Sequence, residues 1–371
     1  MSQGTGDRAP SAGRTEGQGG APRRKAFSDP ASEPVARSPL LDLITLGRSS
    51  IDLYSNDIGA AFPDIHTFGA YIGGSPLNIA VGASRLGLKT ALLTAVGTDK
   101  VGEFVLERLR RENVETRFIP QKPGTRTSAV LLGIEPPDKF PITFYREGAA
   151  DIQLSIDDVL AVPIEEAGAL EISGSALAKE PSRSATFLAA ERAEAAGVPV
   201  YLDLDFRADQ WHDVRAFGVN IRALLPKVAV ALGTEEEINA AMLKDPADIT
   251  IRESQITAPE IRGDVEANIR ALLRGPEALV VKRGARGAEV YLKNGEVVRA
   301  PGFPVEVVSV LGAGDAFAAG FIYGRSQGWD WYKSARMGNA CGAIVVTRIG
   351  CADFTPYLGE ALEFIRSKGG F

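Results

Sequence analysis

Cysteine is almost missing from this chain: Cys341 and Cys351 are the only two in 371 residues, ten apart and in no CxxC pattern. That excludes a disulfide framework and a thiolate zinc site, and points to a reducing compartment. Histidine is as scarce. His66 and His212 stand far apart, so neither a His-based metal site nor a triad is available, and each reads as a surface or packing residue. Positive charge is not in excess either. The formal net charge is −6, and no basic stripe interleaves with aromatics, so a nucleic-acid surface is not expected. No apolar run reaches the length of a membrane span. Two standard nucleotide motifs are also missing: no Gly-Lys dipeptide occurs, which removes a Walker A loop, and no GxGxxG opens a helix after the first strand.

Residues 1–40 are rich in Gly, Pro, Ser and Arg and nearly free of large apolar side chains, a composition expected to be disordered. They lack the apolar core of a signal peptide. Asp7, Glu16, Asp29 and Glu33 count against a transit peptide, so a cytoplasmic protein is expected.

With 45% hydrophobic residues, the chain as a whole has ample material for a large core. From Leu41 onward, apolar runs such as LLDLITLG, TALLTAVG, ALEISG, VPVYLDLD, AVALG and EALVVKRG alternate with helical patterns such as SPLNIAVGASRLG, VGEFVLERLRREN, SRSATFLAAERAEAAG and TEEEINAAM. Alternating strands and helices predict an α/β fold with a mostly parallel sheet covered on both faces. VYLKNGEVV carries Asn294-Gly295 between short apolar runs, a hairpin signal. Two stretches break the alternation, Ser50–Gly74 and Gly124–Asp151, and are expected to form a small sheet beside the large one.

The stretch VEVVSVLGAGDAFAAGFIYG (Val305–Gly324) carries the chemistry. Its valine-rich half, Val305–Leu311, reads as a buried strand, and the part from Asp315 onward as a helix. Glycine at a helix start lets a bulky anion reach the unpaired N–H groups at the positive end of the helix dipole. Asp315 reads in two ways: as an ordinary N-cap, or as a base placed beside a phosphate to take the proton of an attacking hydroxyl.

LGAGDAFAAGF and YIGGSPLNIAVGASRLG resemble the two signatures of the ribokinase-like carbohydrate kinases, and the resemblance runs from about Leu43 to Pro356. It implies a three-layer α/β/α sandwich, residues 41–371, with a β lid from about 50–74 and 124–151 that closes over the substrate. It also implies ATP and Mg2+, Asp315 as the base, and the N–H groups of Gly312, Ala313 and Gly314 around the transferring phosphoryl group. Asp52, Gly74 and Asn78 would hold substrate hydroxyls. Lys282, Gly284 and Gly287 would form a nucleotide-binding turn, Asn339 would lie near the adenosine, and Glu236 would order Mg2+ and its waters. Taken singly, these residues also read as turn, cap and surface positions. The sequence departs from the family in Ser309, Val310 and Leu311, where Asp and Thr are usual, and in Gly233, which falls on the Asn of the family's Asn-x-x-Glu element.

GRSSIDLY, YREGAAD, ISGSALAKEPSR, DLDFRADQW and GNACGAIVVTRIGCAD narrow the resemblance to kinases of a ketosugar acid in myo-inositol breakdown, with 5-dehydro-2-deoxy-D-gluconate the expected substrate. Arg146 and Arg207 would fork onto its carboxylate, with Tyr145 packed beside the sugar. For the arginines the plain alternative is an ion pair with Glu147, Asp205 or Asp209. The rival activities are a 2-dehydro-3-deoxygluconate or fructose kinase and, from another class, a sugar-acid sensor without catalysis. A homodimer through the lid is also expected from the fold.

Overall fold

Leu43 and Ile44 face opposite helical layers, which is why the first strand reads as an unbroken apolar run. The computed structural model describes Met1 and residues 39–135, 139–251 and 259–371. Residues 2–38, nearly all of the expected disordered tail, lie outside the described residues.

The large sheet has eight strands. They are β1 (Leu43–Leu46), β4 (Thr90–Leu93), β7 (Leu170–Ser173), β8 (Val200–Asp203), β9 (Val230–Thr234), β10 (Ala278–Lys282), β11 (Ala288–Leu292) and β12 (Val297–Ala300). They lie in the order β12-β11-β10-β9-β8-β7-β1-β4. All neighbours run parallel from β4 to β10; β11 and β12 are antiparallel and close the edge as the Asn294-Gly295 hairpin. One face packs on α1 (Ser75–Arg85), α5 (Ala313–Ser326) and α6 (Trp331–Val345). The other packs on α3 (Ser182–Ala195) and α4 (Glu235–Ala241), among other helices. The amphipathic helix α2 (Lys100–Arg111) buries Val105, Leu106 and Leu109 in a smaller cluster with Ile72 and Leu92.

The small sheet comprises β2 (Ser50–Ser55), β3 (Phe68–Gly73), β5 (Ser128–Leu132) and β6 (Ile142–Tyr145), in the order β3-β2-β5-β6. Its outer pairs are antiparallel, and β2 and β5 run parallel.

One expected element is corrected. Val305–Leu311 is irregular, not a buried strand. The segment joins no strand of the large sheet, whose order ends at β12, and Val307, Val308 and Val310 are exposed. The N–H groups of Val308 and Ser309 donate instead to the Val346 carbonyl at the end of α6. β-branched side chains favour a strand only where a sheet offers packing for it.

Candidate active site

The parallel strands deliver their carboxyl ends to one edge of the sheet, where ligands bind in such folds. There, Arg48 follows β1, Asp203 ends β8, Thr234 ends β9 and Lys282 ends β10. Together with the inner face of the small sheet they line a cavity of about 250 Å³. Asp52, Gly74, Asn78, Arg207, Lys282, Gly312, Gly314 and Asp315 all reach it, so the structure brings most of the expected site residues together.

Gly312 is the N-cap of α5 with φ of 73°. A side chain there would be strained, and its Cβ would stand 2.9 Å from the Cys351 Cα. The helix starts at Ala313, so Asp315 is its third residue and not its N-cap. The Ala313 N–H turns back to the Val310 carbonyl at 3.4 Å, a long bond. A Cβ on Gly314 would stand 3.3 Å from the Lys282 ammonium, so bare backbone and a cation face each other across this gap.

Asn78 Nδ2 donates to Asp315 Oδ2 at 2.7 Å. Burial pushes the Asp315 carboxyl up, and the nearby Asp205 adds to the rise against the Asn78 bond. Lys282 Nζ lies 3.1 Å from both Asp203 oxygens and 3.9 Å from Glu237. Burial alone would depress this ammonium, but Asp203 and Glu237 outweigh it and hold Lys282 charged.

Asp52 is buried, accepting from Ser50 Oγ at 2.7 Å and from the Tyr54 hydroxyl at 3.2 Å. A Cβ on Gly73 would stand 2.0 Å from Asp52 Oδ2, so the carboxylate occupies the place of the missing side chain. Asp205 sits at φ 41°, and its carboxylate pairs with Arg207 Nη2 at 2.7 Å and accepts from Ser173 Oγ at 2.6 Å. Burial opposes its charge, but Arg207 and Arg48 outweigh burial and bring Asp205 to about 2.

Several expected positions fall elsewhere. Arg146 is 6% exposed and outside the cavity lining. Its Nε donates to Asp151 at 2.7 Å, and its Nη1 to the Ser175 carbonyl and Gln210. It is a structural ion pair, with Asp151 in place of the partners weighed from sequence. Tyr145 is 60% exposed, and the aromatic facing the cavity is its neighbour Phe144, because side chains alternate along β6. Glu236 is exposed, while Glu237 lines the cavity and forms a capping box with Thr234. The three-residue spacing thus falls on Thr234 and Glu237, one place later than expected; a Thr-x-x-Glu capping box is a legible signal that would have given the frame. Asn339 Nδ2 is spent on the Ala300 and Pro301 carbonyls, tethering β12 to α6. Gly284 and Gly287 shape the turn between β10 and β11, where the Gly287 N–H donates to the Gly284 carbonyl, and neither lines the cavity. Lys282, expected beside them, points into the cavity instead. Not singled out from sequence were Arg48, Asp203 and Glu237, while Asp205, weighed there as an ion-pair partner, does pair with Arg207; for the two aspartates the signal was the alternation in DLDFR at a strand end.

A comparison of the whole chain with known proteins accords with this arrangement. Residues 41–357 match the pfkB family of carbohydrate kinases, and the chain belongs to that family, whose members are sugar kinases. It is 36% identical over 334 residues to a 5-dehydro-2-deoxygluconokinase of Geobacillus thermodenitrificans, covering 90% of this chain and 95% of that one. It is 35% identical over 329 residues to the enzyme of that name from Clostridium tetani, covering 88% and 94%. Among solved structures, a fructokinase of Xylella fastidiosa with bound ATP superposes with a TM-score of 0.75 at 25% identity, covering 88% of this chain and 99% of that one. A candidate ribokinase II of E. coli in complex with ATP and Mg2+ gives the same TM-score and identity, covering 88% and 100%. No described helix is long and apolar enough to cross a membrane.

Proposed function

We propose that this kinase moves the γ-phosphoryl group of ATP to the terminal hydroxyl of a ketosugar acid, with 5-dehydro-2-deoxy-D-gluconate as the substrate. The observation that carries the chemistry is the Asp315 carboxyl, raised by burial, three residues into a helix that starts on bare glycine beside the Lys282 ammonium. The curated relatives support the substrate.

Phosphoryl transfer asks little covalent chemistry of a protein; it asks for alignment and charge stabilisation. Asp52 accepts from sugar hydroxyls. Asn78 holds Asp315 with its amide nitrogen and offers its unpartnered Oδ1 to the substrate. As the terminal oxygen attacks, Asp315 takes its proton. The N–H groups of Gly312 and Gly314, with Lys282, receive the negative charge of the group in transfer. Mg2+, when bound, neutralises phosphate charge and keeps several of its waters. Glu237 suits that role: its carboxylate reaches the cavity and is fixed by the N–H groups of Thr234 and Phe206. Closure of the small sheet over the cavity would exclude water and limit wasteful hydrolysis.

The test is ADP release with ATP against a panel of ketosugar acids and neutral ketoses. The highest kcat/KM is expected on 5-dehydro-2-deoxy-D-gluconate; a preference for fructose would overturn the substrate, and no ADP with any of them would overturn the reaction. In the same assay Glu237→Gln should raise the Mg2+ needed for half-maximal rate by roughly 10–100-fold, the usual loss when a supporting group of a metal site is removed. Glu236→Gln should leave it unchanged, and equal effects of the two would return the metal role to neither.

A further inference from the structure

Two arginines line the cavity, and they differ in one respect. Arg207 is already neutralised by Asp205 at 2.7 Å. Arg48 is 5% exposed, yet among the described residues no carboxylate stands within ion-pair distance of it. Its one hydrogen bond there is from Nη1 to Ser50 Oγ, 3.2 Å, and its Nε has no partner at all. The guanidinium lies against the ring of Phe144 on the small sheet, 5.2 Å from the centroid. A buried cation is costly unless an anion and hydrogen bonds compensate it.

The geometry points to Arg48 as the residue that binds the substrate's carboxylate and sets the preference for a sugar acid over a neutral sugar. This rests on the kinase reading above and names the residue for its substrate class. Three observations place the acid here. The reacting hydroxyl must meet Asp315, so the carboxylate at the other end of a chain-like sugar acid needs a cation elsewhere in the same cavity, whose lining includes Arg48. Arg146 is enclosed by Asp151, Gln210 and the Ser175 carbonyl and has no free fork. The remaining charges of the cavity are mostly acidic, with Asp52, Asp203, Asp205, Glu237 and Asp315 against Lys282 and Arg207, so an incoming carboxylate is best received at the guanidinium whose acidic neighbours, Asp52 and Asp205, act on it only from beyond ion-pair distance. The Phe144 ring covers one side of the guanidinium from the small sheet, so the acid would meet it at its edge.

The experiment compares Arg48→Met and Arg48→Lys with wild type on 5-dehydro-2-deoxy-D-gluconate and on fructose. The ratio of kcat/KM, acid over ketose, should fall about 10–150-fold in Arg48→Met, mostly through KM for the acid. Arg48→Lys should recover only part, because an ammonium cannot reproduce the fork. A purely structural role would lower both substrates alike and leave the ratio intact, and that result overturns the inference. If Arg48→Met does not fold, Arg48→Lys decides alone: an unchanged ratio overturns the inference, a reduced one supports it. Thermal melting with added acid gives a second readout; the acid should raise the midpoint of wild type and not that of Arg48→Met. If wild type itself prefers fructose, the sugar-acid reading fails and the inference with it. If wild type prefers the acid and the ratio survives in both variants, the inference fails alone.

Discussion

Asp315→Asn is expected to lower turnover by roughly 10²–10⁴-fold, the range for loss of a general base, while ATP still binds. The amide keeps the size and the contact with Asn78, so the start of α5 and its backbone N–H groups stay in place. What disappears is the proton acceptor. ATP affinity should hold or improve, since a negative charge next to the phosphates is removed. The pH profile carries the same signature. Burial and Asp205 raise the Asp315 carboxyl, so its basic form is lost at a higher pH than that of an ordinary aspartate as the solution is acidified. The acid limb of kcat/KM in the wild type should therefore fall as pH drops through that raised value, and the limb should be missing from the residual activity of Asp315→Asn. Turnover within a few-fold of wild type would show that Asp315 only shapes the helix start.

Arg146→Ala is expected to act on stability. Arg146 and Asp151 are both nearly fully buried, and the arginine also satisfies Gln210 and the Ser175 carbonyl. It joins the end of β6 to the loop after β7, that is, the small sheet to the large one. Truncating one partner of a buried pair strands the other charge, which costs about 3–5 kcal/mol. Asp151 would feel this fully, because its Oδ1 already lacks a partner. Urea unfolding should show the loss as a lower midpoint, and Arg146→Ala with Asp151→Ala should recover part of it, since no lone charge is then left buried. An unchanged midpoint, with KM for the sugar acid alone raised, would return Arg146 to the substrate.

The sequence made the architecture legible where local pattern and tertiary demand agree. Buried parallel strands need apolar runs on both faces, and Leu43–Leu46 and Ala278–Lys282 supply them. The glycine-rich start of α5 was legible for the same reason, since a backbone-lined helix start needs residues without side chains. Frame was harder to read. Tyr145 and Phe144 are equally aromatic, and the strand's alternation, fixed only by pairing with β5, decides which one faces inward. Glu236 and Glu237 are identical in type, and the cap on Thr234 decides between them. The arginines show the limit of composition. Whether a guanidinium is spent or available depends on partners far away in the chain: Gln210 lies 64 residues from Arg146. Arg48 stands in a short connection whose role appears only when β6 folds over it.

The Asp52 carboxylate fills the space beside the Cα of Gly73, and this gives the two positions a shared history. While Asp52 is present, even a methyl group at 73 meets it at 2.0 Å and must displace it or the backbone. Were Asp52 shortened first, the three nearest obstacles to that methyl group, all atoms of the Asp52 carboxyl, would be gone. Substitutions at the two sites should therefore be non-additive, as for any pair in direct contact. Lineages that keep this substrate would hold both residues together, and a lineage drifting toward a substrate without that hydroxyl contact would release them in order, position 52 before position 73. Any library that diversifies this cavity for new sugars should vary the two positions jointly, because varying position 73 alone samples mainly distorted sites.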